Sequence, residues 1–364
     1  MESLKQWEYY IGKRIGDLPT PALVADRELI QANIMILSGF CNSNQCRLRP
    51  HFKSHKCVTL AQRQLADKNT IGITCAKVSE AEQLVEGGIK NILIANQIIG
   101  EDKVRRVARL NHHSKVWVTV DSREGIEQLN RAAQHERVKI GVLVEIDIGM
   151  NRGGVKPGKP AIQLAESVDR TSGLIFEGLQ SYEGHIVTLA DYEDRKKRVT
   201  EAMMPVLETR KALIKKGFSV IVSAGGTGTY DITGRLTGID EIQCGSYVLM
   251  DTAYKKVRPE FHNARSILST VISKRAHTIT TDVGLKGMGI EYGIPEIIGH
   301  LQAKVLYVAE EHTVIENIDV PIGEKIQISP PHGCTTNNLY SKMWITCNDI
   351  VEDVWPIEGH GCLE

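Results

Sequence analysis

Between residues 22 and 255, short runs of β-branched and apolar residues recur along the chain, separated by longer stretches whose charged residues fall at helical spacing. That alternation predicts successive βα units and a parallel sheet. Eight runs qualify as strands: Arg47 to His51, Ile71 to Cys75, Asn91 to Ala95, Val116 to Val120, Ile140 to Ile146, Gly173 to Gln180, Ser219 to Val222 and Glu241 to Gly245. Between them, Ser79 to Gly87 reads as a helix capped by Ser79 with Glu82 three residues on, and Ser122 to His135 as another. Eight such units fit a TIM-type (β/α)8 barrel, whose active site is built at the C-terminal ends of the strands.

After Tyr254 the pattern changes to β-branched runs joined by turns: Ser269 to Lys274, Ala276 to Thr281, Ala303 to Glu310, Lys325 to Ser329 and Lys342 to Asp349. The expected architecture is therefore α/β, with a barrel over residues 22–255. A C-terminal β domain follows over residues 256–364, completed by residues 1–21.

Charge changes the picture by exclusion. The 44 Lys and Arg residues balance 44 Asp and Glu residues, so no bulk charge points to nucleic acid or to an anionic membrane, and any anion is bound locally. Met1 to Leu18 lacks the apolar core of a signal peptide, and no later run of about 18 apolar residues would span a bilayer. Of eight scattered cysteines, none in a CxxC pair, seven read as ordinary reduced thiols, and only Cys334 has a neighbour that changes the reading. A soluble, cytoplasmic protein is expected.

Several stretches carry candidate chemistry. Arg47 to Lys56 gathers cations and imidazoles where the first barrel strand ends, and a lysine there is placed to form a Schiff base. The glycine-rich run Ser223 to Tyr230, directly after the seventh strand, offers close backbone amides and hydroxyls to a phosphate. Val144 to Gly154 ends the fifth strand with acidic residues followed by Arg152 among glycines, and Gln180 to His185 places Tyr182 and His185 at the end of the sixth. In His332-Gly333-Cys334, an extended backbone would point imidazole and thiolate the same way, toward one metal ion with open positions.

Pro19-Thr20-Pro21-Ala22-Leu23-Val24, followed by Arg49-Pro50-His51-Phe52-Lys53-Ser54-His55-Lys56, resembles the D-serine dehydratase and D-threonine aldolase family. These are pyridoxal-phosphate (PLP) enzymes with an alanine-racemase-like barrel. Asp282 to Gly289 and Gly293-Ile294-Pro295 also match its pattern, so the resemblance covers nearly the whole chain.

The resemblance implies that Lys53 holds PLP and that Gly225, Gly226 and Thr227 bind its phosphate, helped by Tyr254. It also puts Arg152 near the phenolic oxygen and Tyr182 against the pyridine ring, with His185 nearby. His332 and Cys334 are implied as ligands of a divalent metal; a cysteine at the second position resembles the zinc-dependent dehydratase branch, where an aspartate would resemble the aldolases that use manganese or magnesium. Pro331 and Thr313 depart from the family pattern, where asparagine and glycine are common.

The reaction expected is dehydration and deamination of a D-β-hydroxy amino acid, such as D-serine or D-3-hydroxyaspartate, to an α-keto acid and ammonia. The alternative is retro-aldol cleavage to glycine and an aldehyde, with His185 or His312 as the base. More remote is a non-catalytic PLP-binding protein. The resemblance further implies a homodimer.

Overall fold

The computed structural model describes residues 7–364, so residues 1–6 of the expected N-terminal contribution to the β domain lie outside the described residues. Eight parallel strands form one sheet: Arg47–Leu48, Ile73–Cys75, Asn91–Gln97, Lys115–Val120, Ile140–Ile146, Leu174–Ser181, Ile221–Ala224 and Glu241–Ile242. Each falls within or beside its predicted run. Their interiors are apolar on both faces, as strands sandwiched between helices and a filled barrel must be; all seven residues of Ile140–Ile146 are buried.

The sheet returns on itself. Arg47–Leu48 pairs with Glu241–Ile242 on one side, while parallel bridges join Leu48 to Thr70 and His51 to Thr74 on the other. Helices Val78–Glu86, Glu101–Leu110, Arg123–Glu136, Lys159–Asp169 and Tyr192–Lys215 alternate with the strands. Ser122 caps Arg123–Glu136 through the Gly125 amide. The cap expected at Ser79 is displaced by two residues: Lys77 is the N-cap, and Glu80 accepts from the Ala76 and Lys77 amides at 2.7 and 3.2 Å. The Ser79 hydroxyl instead donates to the Glu364 carbonyl.

A second sheet runs Lys304–Val308, Thr313–Glu316, Thr278–Thr281, Arg265–Lys274, Ala22–Asp26, Lys342–Cys347, Ile350–Pro356, with Lys325–Ser329 paired to Arg265–Lys274 and to Glu296–Ile297. Leu18, Ala22, Val24, Leu268, Trp344 and Val351 form its core, with Trp7, Tyr10 and Ile15 packed against it.

Two compact units result. One holds the chain up to Ile36, Ser54–Thr59 and Ser246–Gly361; the other holds Leu37–Lys53, Leu60–Gly245 and Cys362–Glu364. Strand Ala22–Asp26, which opens the expected barrel segment 22–255, is thus hydrogen-bonded into the other sheet, antiparallel to Arg265–Lys274 and parallel to Lys342–Cys347. Among the described residues, no helix is long and apolar enough to cross a membrane.

Candidate active site

In the barrel unit, Lys53 sits in the single 3-10 turn Phe52–Ser54 that follows the first strand. The strand's exit is pinned on both sides, by the His51 amide to the Cys244 carbonyl at 3.0 Å and by the Thr74 amide to the Pro50 carbonyl at 2.8 Å. Of the other cations in this stretch, Arg49 pairs with Glu241 and Lys56 donates to the Gly359 carbonyl.

The Tyr182 ring is the hub of the expected site. Lys53 Nζ lies 5.7 Å from its centroid, and the Arg152 guanidinium carbon 5.9 Å. A Cβ at Gly226 would stand 3.1 Å from Tyr182 Cε2, so glycine there keeps the backbone close to the ring. Gly225 has φ +80°, a left-handed conformation that glycine adopts without strain.

The loop's shape is set by a buried carboxylate within the Gln180 to His185 run. Glu183, fully buried, accepts from the Gly225 amide at 3.3 Å and from the hydroxyls of Thr229 and Thr233 at 2.7 and 2.5 Å. The Thr229 hydroxyl in turn accepts from the Gly226 amide at 3.3 Å. Thr227 is buried in the same loop.

Arg152 is carried by a loop whose amides are tied to carboxylates. Asp147 Oδ1 accepts from Gly149 and Asn151, and Asp121 Oδ2 from Gly154. Glu145 lies beneath: burial pushes its carboxyl above the usual range, opposed by a 2.6 Å bond from Gln97, the Arg152 charge and Thr119. His185 is exposed beside this loop, where a Cβ at Gly149 would come within 2.8 Å of its Nε2. An amine, a fixed cation, an aromatic ring and a tight glycine loop, all gathered in one unit, suit an anionic aromatic aldehyde such as PLP.

In the other unit, the geometry corrects the extended reading of residues 332–334. His332 is the extended N-cap (φ −133°, ψ 112°) of a short helix, Gly333–Asn337, whose Thr336 hydroxyl donates back to the His332 carbonyl at 2.6 Å. Gly333 is required because Arg265 occupies the space of a Cβ, rather than because the turn is tight. Its amide donates to Asp251 Oδ2 at 2.9 Å and its carbonyl accepts from Arg265 Nη1 at 3.1 Å.

The His332 side chain is 13 % exposed, with Nδ1 2.5 Å from Glu291 Oε1. Its ring stacks on Tyr292 with centroids 4.0 Å apart. Cys334 Sγ lies 3.6 Å from Ser54 Oγ and 4.0 Å from Ser246 Oγ. Burial lowers the affinity of His332 for a proton, but its interactions with Cys334 and then Glu291 outweigh this and hold the imidazole above its usual value.

Among the described residues, no group of three or more His, Cys, Asp or Glu side chains is arranged to hold a metal ion. One imidazole nitrogen and one thiol form a two-donor set, suited to a soft divalent ion that keeps open positions.

Tyr254 and His312 belong to the other unit. Tyr254 is buried in helix Thr252–Val257, which Asp251 caps through the Tyr254 amide. His312 is exposed at the turn between Lys304–Val308 and Thr313–Glu316. Sequence reasoning also missed Asp251, Arg265 and Glu291. An Asp before Thr252 is a legible cap signal; Arg265 and Glu291 reach residues 332–334 only through tertiary structure.

The family described as "Alanine racemase, N-terminal domain" matches residues 25–253, and that described as "Putative serine dehydratase domain" matches residues 264–346. A 3-hydroxy-D-aspartate aldolase of Paracoccus denitrificans (strain Pd 1222) is 33% identical over 95% of this chain and 93% of its own length. A D-threonine aldolase of an Arthrobacter species is 31% identical over 96% of this chain and 95% of its own. The crystal structure of D-threonine aldolase from Filomicrobium marinum superposes with a TM-score of 0.94 at 34% identity, covering 97% of this chain and 99% of that one. With both halves matched in order and the likeness carried over nearly the full length, the chain belongs to the D-serine dehydratase and D-threonine aldolase family of PLP-dependent lyases with an alanine-racemase-like barrel.

Proposed function

We propose that this enzyme cleaves a D-β-hydroxy amino acid by retro-aldol chemistry, releasing glycine and an aldehyde. The observation that carries the reading is full-length similarity at 31–33% identity to proteins named as aldolases of 3-hydroxy-D-aspartate and D-threonine. Sequence reasoning put dehydration first because of Cys334. That remains the second reading, supported by the thiol in a position where the resemblance associates cysteine with dehydratases.

When bound, PLP supplies an electron sink for negative charge at the substrate's α-carbon. In this reading the Lys53 amine would hold the cofactor. The backbone of Gly225 and Gly226 and the Thr227 hydroxyl would bind its phosphate. Tyr182 would flank the ring, and Arg152 would present a fixed cation to its oxygen. His185 would take the proton of the β-hydroxyl as the α–β carbon bond breaks. His332 and Cys334 would hold a divalent ion, zinc by the softness of the thiolate, with manganese or magnesium as alternatives; such an ion supplies Lewis acidity toward a hydroxyl. We further propose that the chain acts as a homodimer in the cytoplasm.

The test is incubation of PLP-loaded protein with D-threonine, D-threo-3-hydroxyaspartate and D-serine, with glycine, aldehyde and α-keto acid quantified together. Glycine and aldehyde in equal amounts, lost in Lys53→Ala, is the expected result. Keto acid and ammonia would replace this reading with dehydration. A PLP absorbance band without turnover of any of the three would leave a cofactor-binding protein.

A further inference from the structure

We propose that Glu291 is the positioning residue for His332: its carboxylate accepts the Nδ1 hydrogen and so presents Nε2 as the nitrogen offered to a divalent cation. The inference rests on the reading of His332 and Cys334 as metal ligands. Its basis is which parts of this turn are already fixed.

The backbone between the two donors is held from beneath, by Asp251 on the Gly333 amide and Arg265 on the Gly333 carbonyl. Asn337, at the end of the same short helix, accepts from Arg265 at 2.6 Å and donates to the His55 carbonyl at 3.2 Å. What this framework leaves open is the orientation of the His332 ring and the nitrogen that carries its hydrogen. Those two properties decide whether an imidazole can coordinate, because its two nitrogens are not equivalent.

Residues 291 and 292 settle both. Glu291 Oε1 lies 2.5 Å from Nδ1; an ionised carboxylate can only accept, so in the neutral imidazole the hydrogen sits on Nδ1 and Nε2 is the nitrogen left to coordinate. Tyr292 covers one ring face, with planes 17° apart, and removes rotation about the ring's own bond. The loop that carries the pair is bonded to the turn it serves: the Gly289 amide donates to the Thr336 hydroxyl at 3.1 Å, and that hydroxyl donates to the His332 carbonyl. The Glu291 side chain is 43 % exposed, so its contact adds little to folding stability. Its effect is on orientation, where loss of a carboxylate behind a ligating histidine weakens metal binding roughly 10- to 100-fold.

The experiment measures the zinc dissociation constant of the full-length, PLP-loaded protein by competition with a chromophoric chelator. Wild type is compared with Glu291→Ala, Glu291→Gln, His332→Ala and Cys334→Ala, with the unfolding temperature of each recorded. The expected result is a 10- to 100-fold weaker constant in Glu291→Ala with an unchanged unfolding temperature, and recovery of most of it in Glu291→Gln, whose amide oxygen can still accept the Nδ1 hydrogen. Wild-type zinc affinity in Glu291→Ala, with binding lost in His332→Ala and Cys334→Ala, would overturn the role of Glu291 and leave the ligand pair intact. A Glu291→Gln variant as weak as Glu291→Ala would overturn it as well, because the carboxylate would then act through its charge. Zinc affinity unmoved in His332→Ala and Cys334→Ala would instead remove the underlying ligand assignment.

Discussion

Two buried arginines, one in each unit, are held in opposite ways. Arg49, 1 % exposed, makes two parallel bonds to Glu241 at 2.8 and 3.0 Å, a third to Asn91 at 2.8 Å, and lies 5.1 Å from the Trp117 ring. Arg265, 3 % exposed, bonds only neutral acceptors: the Gly333 and Met250 carbonyls and Asn337 Oδ1. Its Nε has no hydrogen-bond partner among the described residues. Burial pulls its pKa below the ordinary arginine value, with Asp251 and Cys334 the charges that oppose this. A buried cation matched by a forked carboxylate is a brace. One bonded to dipoles fixes the backbone of the turn that carries the proposed ligands, with the Asp251 carboxylate on the Gly333 amide as the opposite charge nearby.

Four changes separate the roles of these buried charges. Arg49→Met strands the Glu241 carboxylate in the barrel and should cost about 3–5 kcal/mol in urea unfolding, most of it recovered by adding Glu241→Leu. A loss well under 1 kcal/mol would mean that the pair is not a brace. Arg265→Met leaves only carbonyl and amide oxygens unpaired, so a smaller loss of about 1–3 kcal/mol is expected, together with less zinc retained per chain after dialysis.

Gly333→Ala should destabilise by a comparable or smaller amount, about 1–3 kcal/mol, because its Cβ enters the volume of the Arg265 guanidinium. Combined with Arg265→Met, the loss should be clearly less than additive; additive losses would show that the two residues do not compete for that space.

The smallest effect tests a buried carboxylate that lacks Glu241's forked partner. The folded-state pKa of Glu145 is raised, so its contribution to stability is fully present below the usual carboxylate range and is lost as pH rises through the raised value. Glu145→Gln should therefore gain in unfolding temperature relative to wild type between acid and neutral pH. A constant difference across that range would count against a raised value.

The barrel was legible because its signal is repetitive: eight apolar runs separated by stretches of helical spacing, each run found within or beside its expected place. The β unit was less so. Thr313–Glu316 is only four residues long, Ile350–Pro356 alternates buried residues with partly or fully exposed ones that dilute the apolar pattern, and Ala22–Asp26 carries no mark of the sheet it joins. At the candidate site, Lys53, Arg152, Tyr182 and Gly226 could be chosen from local motifs, and they do gather around one ring. Arg265 and Glu291 could not, since the one reason for their places is a contact with a turn at least 40 residues further along.

The interleaving of the two units also sets an order in time. At about 5–20 residues per second of synthesis, Ala22–Asp26 waits roughly 10–50 s for its antiparallel partner at Arg265 to be made. Its parallel partner at Trp344 comes later still. The barrel can close as soon as Glu241 and Ile242 emerge to meet Arg47 and Leu48. Throughout that interval the apolar strand Ala22-Leu23-Val24-Ala25, almost fully covered in the finished protein, has both hydrogen-bonding edges open. The newborn chain therefore carries an unpaired apolar strand long before either of its neighbours in the sheet exists.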